Sequence, residues 1–577
     1  MSRLRSAAEA ALDRRSFLAA TGAVGVSAGL GLTFRQEHGA AAAPAEPPAV
    51  AAAPAAAPTA SPTPARLPAP VTPTWTGTSL RTVATPRTSG SGYRRLGPGP
   101  GWQRVVRSEL AAARSGRADR RTALASFVQL TDLHLTDVQH PVRTEYLRAQ
   151  AAGAWRPQEA LTVHGAVALV ERVNALRGGP VTGARLGFAM TTGDNTDNNS
   201  KAELDWFLRT MSGGRITPNT GDPTRYEGVQ DSGLPLYWHP DDALRDADKK
   251  RGFPRVEGYL AAAIRPVNSP GLRIPWYSTV GNHDDLPSGC FANADATGFL
   301  ADFAVGSRKL LSLPTADAAA LESVLKKGDD PRGSYFKDLL RRETRRMRPI
   351  TPDPARAPFT PREYVQAHLN PAYAGAPGAP GHGYTQENAD SETLYYSFRI
   401  ADGVLGISLD TTDRGGHFAG SIGTTQLAWL KRTLLAHEDD HVIVFSHHNS
   451  WTFDDGGGDK LVALFKQNRN VIAWINGHSH RNEILPHGTF WEISTASHIE
   501  FPQLARIIEL VDNHDGTLSL FTTLIESAAP HRTDFTDLSQ TGLAALYREL
   551  SFNAPGARQT LAGPTNARNT ELVLKKR

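Results

Sequence analysis

The stretch Ile274-Pro275-Trp276-Tyr277-Ser278-Thr279-Val280-Gly281-Asn282-His283-Asp284 decides how this chain is read. An apolar run ending at a glycine reads as a buried β-strand. An amide, an imidazole and a carboxylate follow at its carboxyl end, where open α/β sheets build their sites. Four other segments repeat the pattern. Run 126–130 leads into Asp132-Leu133-His134, and run 185–191 into Gly193-Asp194-Asn195-Thr196-Asp197. Run 442–445 leads into Ser446-His447-His448, and run 471–475 into Gly477-His478-Ser479-His480. A further strand is predicted at 404–409. Apolar residues recur at helical spacing over 163–176 and over 427–435, the latter after the capping candidate Thr424. Strands alternating with helices predict an α/β sheet. Segments 505–511 and 518–525 flank Asn513-His514-Asp515-Gly516, the signal for a hairpin closing the domain.

The polar clusters share one chemistry. On an extended segment residues i and i+2 share a side, so Asp132 with His134, and His478 with His480, are expected to face one site. Carboxylates, imidazoles and one amide, without a thiolate, suit Mn, Fe or Zn. The single cysteine, Cys290, excludes a disulfide framework and Cys-based zinc or iron–sulfur sites. The donors are too many for one ion and fit two ions sharing a carboxylate. Gly, Asn and Asp also favour turns in their own right, so one such cluster proves little. Five in order, each at a strand end, do not arise by chance.

This order, D-x-H, G-D-x-x-D, G-N-H-D, H and G-H-x-H, resembles the calcineurin-like metallophosphoesterase superfamily over residues 123–530. The resemblance implies an α/β fold, a four-layer sandwich of two mixed β-sheets flanked by helices, with a dimetal site at the carboxyl ends of strands. It implies one metal on Asp132, His134, Asp194 and His480, and the other on Asp194, Asn282, His447 and His478, with Asp194 bridging. His283 would sit beside the substrate phosphate as a catalytic group, with Asp284 orienting it and Asp197 orienting a ligand. The fourth motif departs from the family in lacking a proline after its histidines. His447, the first residue past Ser446, is taken as ligand over His448. Asp197 stands where the purple branch of the family has a metal-binding tyrosine, which argues against a purple Fe(III) enzyme. The implied activity is hydrolysis of phosphate mono- or diesters by a hydroxide bridging two divalent metals (Mn, Zn or Fe). The alternatives are a nuclease with the same site and a catalytically silent binding module of the same fold.

Composition bounds the partners. The 577 residues carry 62 Lys+Arg against 58 Asp+Glu, a net +4, with 40% hydrophobic residues. That is ordinary globular composition. Its near-neutral balance makes nucleic acid an unlikely partner, since polynucleotide binding wants a long basic groove. The expected substrate is a small phosphate ester, or one derived from lipid or cell wall. Residues 1–40 resemble a twin-arginine signal: Arg14-Arg15-Ser16-Phe17-Leu18, a weakly apolar Gly/Ala stretch, then small residues. The expectation is export through the twin-arginine machinery to the envelope or medium, with no stable membrane span after processing. An Ala/Pro-rich linker is expected at 41–75, an N-terminal extension at 76–122, and a C-terminal tail at 531–577. Insertions at 198–272 and 285–392 are expected to wall or cover the metals. The second carries a basic cluster, Lys337, Arg341, Arg342, Arg345, Arg346 and Arg348. It reads as a solvated helix face or as an attractor for anions.

Overall fold

The computed structural model describes residues 69–293 and 298–577, so the twin-arginine segment lies outside the described residues. Strand Thr122–Leu130 shows how the core divides. Ala125 and Phe127 enter one apolar cluster while Val128 and Leu130 enter another, as the two-residue period of a strand requires. The first cluster lies between two sheets and the second beneath helices.

One sheet has seven strands. Their spatial order is Arg104–Arg107, Asn569–Lys575, Thr517–Glu526, Leu504–Asp512, Thr122–Leu130, Ala189–Thr192, Trp276–Thr279. The other has six, in the order Tyr396–Ala401, Val404–Ser408, His441–Phe445, Val471–Asn476, Trp491–Ser494, Glu483–Pro486. Phe127, Phe188, Met190, Phe445, Ile475, Ile508 and Leu520 interdigitate between them. Phe127 stacks on Phe188 at 4.8 Å and meets Phe445 edge-on at 5.8 Å. Helices Thr162–Ala175 and Lys201–Ser212 cover the first sheet through Val167, Val170, Phe207 and Met211. Helices Thr424–Ala436 and Gly457–Gln467 cover the second through Leu430, Leu434, Leu461 and Phe465. Each such buried side chain contributes about 1.5–3 kcal/mol of hydrophobic stabilisation. The expected four-layer sandwich is therefore the observed one.

Parallel pairing sets where the site falls. Thr122–Leu130, Ala189–Thr192 and Trp276–Thr279 run parallel, with Leu130 opposite Thr191 and Thr192 opposite Thr279. In the second sheet Ser408 stands opposite Phe445, and Phe445 opposite Ile475, again in parallel. All five motif-bearing strands thus discharge at one edge of the sandwich. Polar contacts tie the sheets together there: Gln129 Nε2 donates to Asn476 O at 2.9 Å, and Thr279 and Ser408 hydroxyls meet at 2.8 Å.

The domain does not end near residue 530. Helix Gln540–Asn553 is buried along most of its length, and strand Asn569–Lys575 lies inside the first sheet. The expected tail at 531–577 is instead part of the core. The reason is a strand edge: without its last neighbour, Thr517–Glu526 would leave a row of unpaired backbone groups, and such edges are covered or blunted. The segment 76–122 also supplies a strand, Arg104–Arg107, at the outer edge of the same sheet. Within 198–272, Lys201–Ser212 belongs to the helical layer. The rest packs Tyr226, Tyr237, Trp238, Phe253 and Tyr259 against Leu543, Leu546, Tyr547 and Leu550 of the C-terminal helix. Segment 285–392 builds its own apolar cluster around Phe291, Leu325, Phe336 and Leu339, joined by Val142, Tyr146 and Leu147 from the loop after the first motif. No helix among the described residues is long and apolar enough to cross a membrane.

Deleting residues 568–577 is expected to abolish the folded protein, leaving Thr517–Glu526 as a bare edge. Soluble yield and circular dichroism check this; a soluble, cooperatively melting truncation would contradict it.

Candidate metal centre

The motif loops leave their strands by sharp turns. Asp132, His134, Asp194, His478 and His480 all have left-handed backbone, with φ of 51°, 43°, 52°, 61° and 55°. The convergence expected from extended i, i+2 geometry is thus achieved by a different route, a left-handed kink at each donor. Such conformations cost of order 1–3 kcal/mol each and persist where the surroundings over-determine them. The first two loops run side by side, with Asp132 N–H donating to Gly193 O at 3.1 Å and His134 N–H to Asp194 O at 2.9 Å. Gly281 has no side chain because the loops touch: a Cβ there would lie 2.3 Å from Asp194 N.

The donors assemble in two groups around one carboxylate. Donor atoms of Asp132, His134, Asp194 and His480 lie within 4.8 Å of one another. His480 Nε2 stands 3.3 Å from Asp132 Oδ1 and 3.3 Å from His134 Nε2. On the other side His447 Nε2 is 3.1 Å from Asn282 Oδ1 and 3.2 Å from His478 Nδ1. Asp194 Oδ2 is 3.5 Å from His134 Nε2 and 3.1 Å from His447 Nε2. It therefore faces both groups, while Asp194 Oδ1 accepts His283 N–H at 2.8 Å. Asp194 Oδ2 is buried, and the groups it faces among the described residues are imidazole nitrogens. A buried carboxylate oxygen left this way is costly unless a cation meets it.

The rings are held with a lone pair toward the centre. His447 Nδ1–H donates to Thr192 O at 2.8 Å, so Nε2 faces the donors. His134 Nδ1 meets Asp197 Oδ1 at 3.0 Å and His480 Nδ1 meets Glu500 Oε2 at 3.1 Å. Carboxylates behind ligand histidines fix the tautomer and raise ligand basicity. Asn282 Nδ2 donates to Gly289 O at 2.9 Å, which turns its Oδ1 inward. His448 falls near His447 and His478, but its Nδ1 takes a 2.9 Å contact from Thr411 Oγ1 and its Nε2 a 3.1 Å contact with Phe418 O. Both its nitrogens are engaged outside the centre, and His447 is the histidine aimed into it.

The electrostatics call for positive charge. Burial opposes a proton on His447, yet Asp194 and Asp132 outweigh it and lift the ring to about 9. Burial likewise opposes charge on His480, and Asp132 with Glu500 lift that ring to about 9. His478, buried beside His448 and His447, is pushed well down. The Asp194 carboxyl is held well below its usual range: burial resists, and His447 and His283 prevail. A proton meets this demand in part; two cations on the same donors would meet it fully. The donors fit two such ions.

One expectation needs correction. Asp284 does not orient His283. Its carboxylate accepts from the backbone N–H groups of Thr196 (2.8 Å), Gly281 (3.0 Å) and Asn195 (3.2 Å), stapling the second loop to the third. Burial and the Asp194 charge raise its carboxyl to about 6. The His283 ring is held instead by Asp197 O, 2.7 Å from Nδ1, and by Gly289, where a Cβ would strike the ring at 2.4 Å. Arg143 is 4% exposed and pairs with Glu145, Glu159 and Asp197. His140 is also buried, its Nε2 on Arg356 O.

A cleft opens beside His134, Asp197 and His283. Its walls include Ala151, Ala154, Leu325 and Phe418, with Arg558 from the C-terminal segment. Segment 285–392 lends Ser288, Gly289, Cys290 and Leu325 to this wall, whereas segment 198–272 lends Asn198. The basic cluster of the second insertion is largely neutralised: Arg341, Arg342, Arg346 and Arg348 pair with Asp338, Asp317, Glu343 and Asp231. Sequence reading missed Glu500, Arg156, Glu159 and Arg558. Glu500 had the same signal as the motifs, a polar cluster following a strand, Trp491–Ser494.

No protein-family model and no curated protein matches the sequence. Among solved structures, a dimetal phosphatase from Danio rerio aligns at 12% identity and a TM-score of 0.33, over 70% of this chain and 100% of that one. The Plasmodium protein GAP50, the anchor in the inner membrane complex, aligns at 11% and 0.25, over 73% and 95%. Purple acid phosphatase PPD1 from yellow lupin (Lupinus luteus) seeds aligns at 9% and 0.27, over 74% and 53%.

Asp194→Asn is expected to lose metal from both groups, while His448→Phe keeps both; elemental analysis after dialysis reads the difference. Two tightly held metals in Asp194→Asn would contradict the shared oxygen. The two-sheet sandwich thus brings its five strand-end motifs together around Asp194.

Proposed function

We propose that this protein is a dinuclear metal-dependent hydrolase of phosphate mono- or diesters. The observation that carries the reading is Asp194 Oδ2, buried and facing donor groups on both sides. Two divalent cations (Mn, Zn or Fe) on these donors would supply an activated water and positive charge opposite the phosphoryl oxygens. The protein's own groups supply the rest. Asp194, Asp132 and the histidines fix the positions at which a phosphoryl group is met. His283 lines the cleft with Nδ1–H donated to Asp197 O, so Nε2 is the atom left to carry or give a proton. An imidazolium there donates to a phosphoryl or leaving oxygen, an effect typically worth about 10²–10⁴ in rate.

The cleft favours small esters over polynucleotides. Arg143 and Arg156 border it but spend their donors on Glu145, Glu159, Asp197 and Glu500. Arg558 is half-buried and forms no ion pair among the described residues, which leaves it to meet an anionic substrate. A groove with its arginines so occupied does not track a polyanionic backbone. The complete donor set weighs against a silent binding module. The Arg14-Arg15 segment supports a reaction outside the cytoplasm.

Reconstitution with Mn or Zn should give hydrolysis of chromogenic mono- or diesters, with Asp194→Asn as the inactive control. Absence of any metal-stimulated hydrolysis overturns the function. His283→Ala should lower kcat about 100-fold or more while both metals stay bound; a lost metal would remove that role. Arg558→Ala should raise KM about tenfold with kcat little changed, the pattern of lost uniform binding. An unchanged KM takes Arg558 out of the substrate site.

A further inference from the structure

The two histidines of the first donor group are joined behind their rings by a closed circuit of charges. From His134 Nδ1 it passes to Asp197 Oδ1 at 3.0 Å, and from Asp197 Oδ2 to Arg143 Nη1. Arg143 Nη2 donates to Glu159 Oε2, and Arg156 Nη1 donates to Glu159 Oε1 at 3.2 Å. Arg156 Nε and Nη2 donate to Glu500 Oε1 at 2.9 and 2.7 Å, and Glu500 Oε2 reaches His480 Nδ1 at 3.1 Å. The circuit closes across the centre, where His480 Nε2 stands 3.3 Å from His134 Nε2. Glu159 is its midpoint: 2% exposed, in contact with both arginines and with no metal donor.

Two donors of the second group are held differently. His447 is held by one backbone carbonyl and Asn282 by another. The asymmetry has a physical consequence. A guanidinium is a rigid fork of donors, so a carboxylate clamped by one cannot swing. An imidazole whose Nδ1–H lies on such a carboxylate keeps its orientation with or without a cation. Turning either ring therefore breaks its bond to a carboxylate that an arginine holds in place.

We infer that Glu159, with Arg143 and Arg156, is the positioning element for one metal of the pair: it sets the His134–His480 spacing in advance. The inference rests on the proposed dimetal site but not on its chemistry. Glu159→Gln keeps the shape and removes the charge that both arginines share. Losing a partner behind a ligand histidine typically costs about 10–100-fold in metal affinity. The expected result is a protein that retains one Mn(II) per chain after dialysis where the wild type retains two. The electron paramagnetic resonance signal should change from that of a coupled pair to that of an isolated ion.

Asp248→Asn is the control. It breaks an arginine–carboxylate pair of similar burial, Arg148–Asp248, that touches no member of the circuit. It should keep both metals. If Glu159→Gln does not fold, Glu500→Gln, at a side chain 23% exposed, is expected to weaken the same ion. Two metals held at wild-type affinity in these variants would overturn the inference. So would equal weakening of both ions, since the circuit would then brace the whole edge. A wild-type protein that binds two metals yet hydrolyses no ester would overturn the proposed function and leave this inference standing.

Discussion

One carboxylate oxygen organises this molecule. Asp194 Oδ2 is out of water and looks toward imidazoles on both sides. A lone buried carboxylate costs several kcal/mol, and only positive charge offsets it. The arrangement around it is what such an offset requires. Five donor residues are held in left-handed backbone, three motif strands of one sheet and two of the other end in register, and loops touch where only glycine fits. The two sheets are joined by polar contacts at the same edge, so the stiffness of the sandwich is transmitted to the donors.

The segments expected to cover the metals mostly brace them. Lys309, in the second insertion, is fully buried and pairs with Glu145, which pairs with Arg143. Arg356 reaches Thr220 and lies 3.5 Å from Asp137 in the loop after the first motif. Glu203 accepts backbone N–H groups of Asp137, Asp197 and Asn198, holding the first and second motif loops against one helix. Only a few residues of the second insertion, Leu325 among them, reach the cleft. Long insertions here add cores of their own and use them to hold polar loops in place.

Much of the centre was legible in the sequence because its donors sit at one kind of place. An apolar run followed by Asp, Asn or His is visible without structure, and Asp132, His134, Asp194, Asn282, His447, His478 and His480 all announced themselves so. The groups that hold those donors did not. Glu159 and Arg156 lie in an irregular loop without period, and Arg558 comes from a segment that read as a tail. Asp284 misled for a related reason: adjacency to His283 in sequence implied contact, but a turn sends its carboxylate to the backbone of the neighbouring loop.

The amino-acid sequence by itself determined an α/β sheet, the donor types and their order, because strand periodicity and strand-end polarity are local properties; the two-sheet sandwich was what the motifs' resemblance implied. Only the tertiary structure decided which oxygen is shared, which of His447 and His448 faces inward, and which arginines are free. Those outcomes depend on partners tens to hundreds of residues away, such as Thr411 and Phe418 for His448 or Glu500 for Arg156. A hydrogen bond is satisfied once, and where it is satisfied is settled when the distant segments meet.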